Sequence, residues 1–465
     1  MLHENRRRFL QRTVAALATG WTWQAAHATA HAISFPGALR LARFRFDVTP
    51  PIGHSCCGGW IPPVQVVDDP LEAIGIVLLG AGQPIVLCAV DWTGLLNDAH
   101  RRWRQALAKA AGTTPDRVAV HCVHQHNAPM ACLEAQQIVD AQGDLPSIVD
   151  LEFFDRCLRR GQQAVRQSLE DARRITHVAG GRGRVEQVAS NRRVHRDDSG
   201  RVLAMRGSSC RDEKLRALPE GTIDPWLKTV AFYDGDRPLA ALHHYATHPM
   251  SFYADGRVSS DFVGLARKQL QQQQPECLHV YFTGCAGDVA AGKYNDGSPE
   301  ARVALTKQMV EGLLAAQSDL RPVPIDRVEW RTAQLLPPPR EGLDADQLQT
   351  QIDNRNAPVV QRNRPAYTLA WLRRLAAQKP VDVSCLHVGD TRLLHLPGEC
   401  FVQYQLRAQA MATDCLVATA AYGDGGTWYI PTKEEYPHGG YEVSVAFSDP
   451  PIDDLITQAM ANLLG

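Results

Sequence analysis

The stretch 118–129 restricts the possible folds of this chain more than any other part of its sequence. It begins with Val-Ala-Val-His-Cys, whose β-branched residues and alternating pattern predict a strand, and Asn127-Ala-Pro129 ends that strand. Side chains two residues apart on a strand point to the same face, so His124 and His126 are expected to project together from the strand end. Two imidazoles placed in this way can supply half of a metal site, or one metal ligand beside an acid–base group. The alternative is a pair of surface histidines before a turn.

Apolar runs of strand length recur along the chain and alternate with amphipathic helical segments. The pattern predicts strands at 39–48, 74–79, 85–90, 239–245, 278–282, 381–388, 391–396 and 416–421, and helices at 95–111, 149–174, 260–273, 299–316 and 400–413. The glycine- and arginine-rich stretch 178–225 is predicted as loop with short strands. This order of elements predicts an α/β fold of mixed sheet layers covered by helices.

The length and composition of the chain indicate one large domain. The 465 residues, 45% of them hydrophobic, are sufficient for an extensive core. Residues 319–380 differ in composition, with a proline-rich bend at 336–339 followed by a helical pattern rich in glutamine and arginine. We predict that 319–380 is a helical insertion within a single domain that spans 33–465.

The N-terminus has the features of an export signal. Asn5-Arg-Arg-Arg-Phe-Leu10 is typical of a twin-arginine signal, and a short, weakly apolar segment follows at 13–20. Three overlapping Ala-x-Ala sequences between Ala26 and Ala32 offer cleavage sites. Residues 1–32 are therefore predicted to direct the protein to the periplasm or the extracellular space. The alternative is a basic N-terminus without structure.

Charge and cysteine content argue against several classes of function. A net charge of -1 provides no basic field to attract nucleic acid. The 12 cysteines are scattered and form no Cys-x-x-Cys pair, which argues against a disulfide scaffold and against a cysteine zinc site. Beyond the N-terminus, no stretch is apolar over the roughly 18 residues that a membrane span needs.

Two other predicted strands are followed by side chains that bind metals. His248 comes shortly after the run 239–245 and precedes Pro249, which favours extended backbone at the histidine. Glu399 comes directly after the run 391–396, and a tyrosine-rich loop follows at 428–442. Each of these residues alone is more often a hydrogen-bond partner without a catalytic role. Their common position after apolar strands predicts that they converge on one pocket.

Several motifs make this chain similar to the neutral/alkaline (non-lysosomal) ceramidase family, from about Gly37 to about Glu442. They are Asp47-Val-Thr-Pro-Pro-Ile-Gly53, His124-Gln-His126-Asn-Ala-Pro129, Tyr245-Ala-Thr-His248-Pro249, Gly287-Asp-Val289, Leu396-Pro-Gly-Glu399, and Tyr429-Ile-Pro-Thr-Lys-Glu-Glu-Tyr436 with Tyr441-Glu442. The resemblance implies a ceramidase-like catalytic domain without the C-terminal immunoglobulin-like domain of longer members. It also implies hydrolysis of a C–N amide bond in a lipid or another N-acyl small molecule.

The same resemblance implies roles for individual residues. The zinc ligands would be His124, His248, Glu399 and Tyr429, and two imidazoles with two oxygen ligands form a coherent set for Zn²⁺. His126 would orient or deprotonate the attacking water. The remaining implied catalytic residues, which would hold the substrate carbonyl or the oxyanion, are Tyr441 and Arg192.

One departure from the family pattern concerns the substrate. Ceramide-cleaving members have a serine after Gly-Asp-Val, whereas this chain has Ala290, followed by Ala291 and Gly292. Ser298 and Thr283 are near in sequence but out of register with that position. The alternatives are a zinc hydrolase of another bond, such as an ester, and a catalytically degenerate metal-binding protein that recognises a lipid or glycan.

Overall fold

The computed structural model describes residues 31–32 and 38–465. In chain order the strands are β1 (His31–Ala32), β2 (Arg40–Asp47), β3 (Val66–Val67), β4 (Glu72–Leu79), β5 (Ile85–Val90), β6 (Gly94–Leu96), β7 (Val118–Cys122), β8 (Met130–Cys132), β9 (Arg173–Arg174), β10 (His177–Arg184), β11 (Ser190–Asn191), β12 (His195–Arg196), β13 (Val202–Ala204), β14 (Trp226–Asp234), β15 (Arg237–Tyr245), β16 (Arg257–Val258), β17 (Leu278–Thr283), β18 (Val289–Ala290), β19 (Val323–Pro324), β20 (Val328–Leu335), β21 (Val381–Val388), β22 (Thr391–His395), β23 (Glu399–Cys400), β24 (Leu416–Ala420) and β25 (Tyr429–Ile430). The α-helices are α1 (Asp98–Ala111), α2 (Leu133–Asp140), α3 (Leu151–Glu170), α4 (Glu213–Ala217), α5 (Asp261–Gln273), α6 (Pro299–Ser318), α7 (Ala345–Asp353), α8 (Val359–Ala376), α9 (Val402–Met411), α10 (Tyr441–Ser444) and α11 (Ile452–Leu464).

Fifteen of these strands form three five-stranded sheets. The spatial orders are β7-β5-β4-β2-β9 in sheet I, β17-β15-β14-β10-β19 in sheet II and β1-β20-β21-β22-β24 in sheet III. Each sheet is mainly antiparallel and ends on one side in a parallel pair, namely β5–β7, β15–β17 and β22–β24. The predicted class, α/β with mixed sheets covered by helices, is confirmed.

The edge strands of the three parallel pairs bring the sheets together. Strand β17 contacts both β7 and β24. At the strand ends, the Cys122 amide donates to the Tyr422 carbonyl over 2.9 Å, and the Thr283 hydroxyl donates to the Val123 carbonyl over 2.7 Å. Parallel strands finish at the same edge of a sheet, which is where ligands bind in open α/β folds. The residues that follow β7, β15, β17, β22 and β24 therefore share one region.

Helices α1 and α3 cover sheet I through a cluster of aromatic side chains. Trp103 of α1 lies 5.9 Å from Phe46 and 5.6 Å from Trp92, measured between ring centroids. The Asp150 carboxylate caps the N-terminus of α3 by accepting from the Phe153 amide over 2.7 Å. Trp92 and Trp103 are fully buried, so this layer fixes the position of the segment that follows β5.

The glycine-rich segment 177–184 differs from its predicted loop character. It forms β10, which pairs along its full length with β14 inside sheet II. A Cβ atom at Gly183 would lie 2.3 Å from the Gly312 carbonyl oxygen of α6, so only glycine allows the helix to pack this closely. Because the glycines interrupt the apolar pattern of a strand, the sequence did not predict this element.

The segment 319–380, predicted as a helical insertion, is only helical in its second half. Strand β20 pairs with β21 over eight residue pairs and belongs to sheet III. Helices α7 and α8 follow and form the helical part. The predicted export signal lies outside the described residues except for β1, and none of the described helices has the length and apolar character to cross a bilayer.

Candidate metal centre

Three histidines from two sheets meet at the shared strand ends. Ligand atoms of His124, His126 and His248 all lie within 4.8 Å of one another, an arrangement that could hold a metal ion. The Nε2 atoms of His124 and His126 are 3.4 Å apart. His124 and His248 are buried, and His126 is partly exposed. The sequence thus correctly identified the two strand ends that supply these side chains.

The two neighbouring histidines converge for a different reason from the one predicted. Strand β7 ends at Cys122, two residues before His124, so strand alternation does not place the pair. His124 has a φ of 76°, in the left-handed region that a non-glycine residue rarely adopts. Its amide donates to the Trp92 carbonyl over 2.9 Å, which holds this turn against the residues after β5. A turn in the backbone, and not the pleat of a strand, brings both imidazoles to one point.

Backbone carbonyls fix the tautomers of two of these histidines. The Nδ1 atom of His124 donates to the Thr93 carbonyl over 2.6 Å, and the Nδ1 atom of His248 donates to the Ala286 carbonyl over 2.7 Å. A carbonyl only accepts, so each Nδ1 carries a proton, and the bare nitrogen of each ring in its neutral form is Nε2. This is the outer-shell arrangement that orients histidines toward a metal.

Glu399 completes the cluster from sheet III. Its Oε2 atom lies 3.1 Å from Nε2 of His248 and 3.3 Å from Nε2 of His124. Burial alone would raise the pKa of Glu399, but the two imidazoles hold that pKa well below its ordinary value. With both imidazoles in the neutral form, three acceptors face one another, and a cation between them would satisfy all three. The donor set therefore fits a divalent cation with nitrogen and oxygen ligands.

Tyr429 is positioned beside Glu399 by a short parallel ladder. Strands β23 and β25 pair in a register that sets Glu399 opposite Tyr429. The Tyr429 ring is parallel to the His248 ring, with centroids 6.5 Å apart. Burial, and then the charge of Glu399, raise the pKa of the Tyr429 phenol well above its ordinary value. The structure thus brings together all four residues of the implied ligand set.

Arg192 reaches the same region from a segment that carries no apolar pattern. It follows β11, which pairs with β18, and its Nη1 donates to the Tyr429 hydroxyl over 3.3 Å. Its Nε lies 3.2 Å from a carboxylate oxygen of the buried Glu442. Burial opposes its charge, but Tyr429 and Glu442 raise the pKa of Arg192 above its ordinary value. A permanent cation therefore lies against Tyr429, with its guanidinium 5.7 Å from the Tyr441 ring centre.

His126 differs from the other two histidines in its contacts. Its Nδ1 faces the Cys57 sulfur at 3.8 Å instead of a carbonyl, so no backbone acceptor fixes its tautomer. Burial, followed by repulsion from His124 and His248, holds the pKa of His126 well below its ordinary value. The ring is therefore neutral and able to accept a proton. The exposed Tyr253 ring lies 5.8 Å from His126 on the outer side of the cluster.

Ala290 lies next to the metal centre and offers no hydroxyl. It is fully buried in β18, forms a bridge with His248 and pairs with Ser190 of β11. The Ser190 hydroxyl already donates a hydrogen bond to the Ala290 carbonyl over 2.8 Å. Thr283 donates to Val123, and Ser298 caps α6. None of the nearby hydroxyls that the sequence suggested therefore replaces the family serine.

The sequence analysis did not identify Tyr422 or Cys57. The Tyr422 ring stacks on His124 with centroids 4.2 Å apart, and its hydroxyl is buried without a partner among the described residues. Tyr422 follows the last core strand, β24, so the position after an apolar strand was an available signal. Cys57 had no such signal, because it lies in an irregular segment far from His126 in sequence.

Comparison with known proteins adds one finding. By sequence, the chain matches no family profile and no curated protein. By structure, it is similar to a ceramidase in complex with C2 and to the neutral ceramidase from Pseudomonas aeruginosa, each with a TM-score of 0.65 and 14% sequence identity. The similarity covers 92% of this chain and 75% and 74% of those two chains. The chain therefore has the ceramidase fold, as the motifs implied.

Proposed function

We propose that this protein is an exported, zinc-dependent hydrolase of an amide C–N bond, acting on N-acylsphingosine or another N-acyl compound. The observation that carries this proposal is the set of bare acceptors that faces one point, formed by Nε2 of His124, Nε2 of His248 and the Glu399 carboxylate. Its similarity to ceramidase structures supports an amide as the bond that is cleaved. The twin-arginine motif at 5–10 supports export.

The contacts favour His124, His248, Glu399 and Tyr429 as ligands over a set of three histidines. Glu399 contacts His124 and His248, and Tyr429 lies opposite Glu399 in the β23–β25 ladder. His126 lacks the carbonyl contact that fixes the other two imidazoles, which suits a group that gains and loses a proton. When bound, zinc would polarise an amide carbonyl and lower the pKa of a water molecule toward about 7.

The remaining residues then have distinct tasks. His126, neutral and partly exposed, accepts the proton of the attacking water and passes it to the leaving amine. Arg192 and the Tyr441 hydroxyl bind the negative oxygen that develops on the substrate carbonyl. Because Ala290 offers no hydroxyl, water is the nucleophile and no side chain at that position forms an acyl intermediate.

Metal analysis together with a substrate panel tests this proposal. Protein purified without chelator should contain about one zinc per chain, and His124→Ala should contain none. His177→Ala is the matched control, because His177 lies on β10 and hydrogen-bonds to Thr176 instead of the cluster. The wild-type protein should hydrolyse N-acyl amides faster than esters of the same acyl chain. Zinc-loaded protein that cleaves neither class would favour a binding protein, and zinc retained by His124→Ala would reject the ligand set.

A further inference from the structure

The outer side of the metal centre is lined by exposed aromatic side chains. Tyr253 is 47% exposed and contacts His126, and Tyr441 is 37% exposed with its ring 5.7 Å from that of Tyr429. A hydrophobic side chain that stays exposed beside a buried polar cluster is typical of a substrate entrance. Tyr253 and Tyr441 thus mark the mouth of the site.

Arg364 of α8 lacks the ion pairs that Arg362 and Arg374 of the same helix make. Arg362 pairs with Asp144 over 2.8 Å, and Arg374 pairs with Asp424 over 2.7 Å. Arg364 is exposed, makes no ion pair or side-chain hydrogen bond with any residue the structure describes, and lies 4.7 Å over the Trp60 ring. A guanidinium that rests on an aromatic ring keeps its N–H groups available for a ligand.

A chain of aromatic contacts places Arg364 beside the mouth. Trp60, beneath it, lies 5.4 Å from the ring of Trp428, the residue before the proposed ligand Tyr429. Burial raises the pKa of Tyr253 to about 12, and the charge of Arg364 opposes that rise. Arg364 likewise opposes the burial that raises the pKa of Tyr441. The positive charge of Arg364 therefore lowers the pKa of both Tyr253 and Tyr441.

The other charges near the mouth already have partners. Arg192 lies 3.2 Å from a carboxylate oxygen of Glu442. Glu399 is held by His124 and His248, so its negative charge already has partners. An anionic group near the scissile amide would meet Arg364 without displacing any partner.

We infer that the substrate carries a carboxylate beside its amide bond, as an N-acyl amino acid does, and that Arg364 binds this carboxylate. The inference rests on the proposed amide hydrolysis and narrows its substrate class. A neutral N-acyl amino alcohol, the chemical class of ceramide, would leave Arg364 without a partner. Specificity for the anion would come from a charge-assisted hydrogen bond to a planar guanidinium.

A matched pair of substrates tests this inference. N-lauroylglycine and N-lauroylethanolamine share an acyl chain and an amide, and differ mainly in the carboxylate. Wild-type protein should have at least about a tenfold higher kcat/KM for the glycine conjugate, and Arg364→Gln should lose most of that preference through KM. Arg373→Gln should keep the preference, since Arg373 is also exposed on α8 but lies half a helical turn away in direction.

Binding to the zinc-loaded His126→Ala variant gives a second readout that does not depend on turnover. Calorimetry should show tighter binding of N-lauroylglycine than of N-lauroylethanolamine, and the difference should disappear when Arg364→Gln is added. Equal turnover or equal binding of both compounds, unaffected by Arg364→Gln, would overturn the inference while leaving the amidase intact. Hydrolysis of neither compound by zinc-loaded wild type would instead overturn the proposed amidase, and the binding ratio would still decide the role of Arg364.

Discussion

Each of the three sheets supplies one histidine to a core cluster and, a few residues later, one residue to the metal centre. His121, His244 and His395 form the core cluster, where the rings of His121 and His395 lie 5.2 Å apart. Shortly after β7, β15 and β22 end, the chain reaches His124, His248 and Glu399. All six side chains are buried and five of them are histidines, so the surroundings distinguish the two clusters.

The surroundings decide what a buried histidine does. His244 stacks on Phe282 at 5.1 Å, and neither of its ring nitrogens has a partner among the described residues. Burial lowers the pKa of His121 and of His244 to about 3, so both rings are neutral core residues. In the candidate metal centre, His124 and His248 donate to backbone carbonyls and face the Glu399 carboxylate, whereas His121 donates to the Ala421 carbonyl but faces no anion. A buried imidazole becomes a ligand only where an anion and a fixed tautomer accompany it.

The largest expected effect is on zinc affinity, which should depend on Glu399 and not on the core cluster. Glu399→Gln replaces an anionic oxygen by a neutral amide, and we expect zinc affinity to fall at least about 100-fold with activity lost. His395→Gln, at the end of β22, should keep full zinc occupancy because His395 belongs to the core cluster. Competition with a chromogenic chelator measures both affinities. Full zinc occupancy in Glu399→Gln would show that the three histidines alone hold the ion.

An intermediate effect is expected from the rings that cover each cluster. Tyr422→Ala removes the ring stacked on His124, and we expect about a tenfold loss of zinc affinity as that imidazole loses its orientation. Tyr422→Phe retains the ring and should bind zinc normally. In the core cluster, Phe282→Leu should destabilise the fold in urea unfolding and leave zinc affinity unchanged. Equal zinc affinities for the alanine and phenylalanine variants of Tyr422 would contradict the orienting role.

The smallest expected effect concerns acid stability. The folded pKa of His244 is about 3 against 6.5 for the ordinary histidine, so the unfolded chain takes up a proton as pH falls below about 6.5 and the folded chain does not. The free energy of unfolding should therefore decrease by about 1.4 kcal/mol per pH unit for each such histidine between pH 6.5 and 3.

His244→Leu removes one of these protonation sites and no hydrogen bond. The loss of unfolding free energy between pH 7 and pH 5, measured in urea, should be smaller by about 2 kcal/mol than in the wild type. His195→Leu, at an exposed position, is the matched control. An unchanged pH dependence in His244→Leu would show that His244 is protonated in the folded protein.

The sequence predicted local structure well where apolar periodicity is strong. β4, β5, β15, β17, β21 and β22 all lie at predicted positions, because burial on both faces of a sheet requires an unbroken run of apolar residues. It missed β10, where glycine serves helix packing, and β20, which precedes the predicted helical pattern; α7 and α8 lie within that pattern. Close backbone packing leaves no hydrophobic pattern in the sequence.

The sequence by itself determined which residues follow strand ends, and so named His124, His126, His248 and Glu399 as neighbours in a site. Only the tertiary structure decided how they meet, since the left-handed turn at His124 is held by the Trp92 carbonyl from the segment between β5 and β6. It also decided that the Tyr422 ring stacks on His124 and that Arg364 lies over the Trp60 ring. These contacts join residues far apart in the chain, and the order of strands across three sheets, which local patterns do not encode, brings them together.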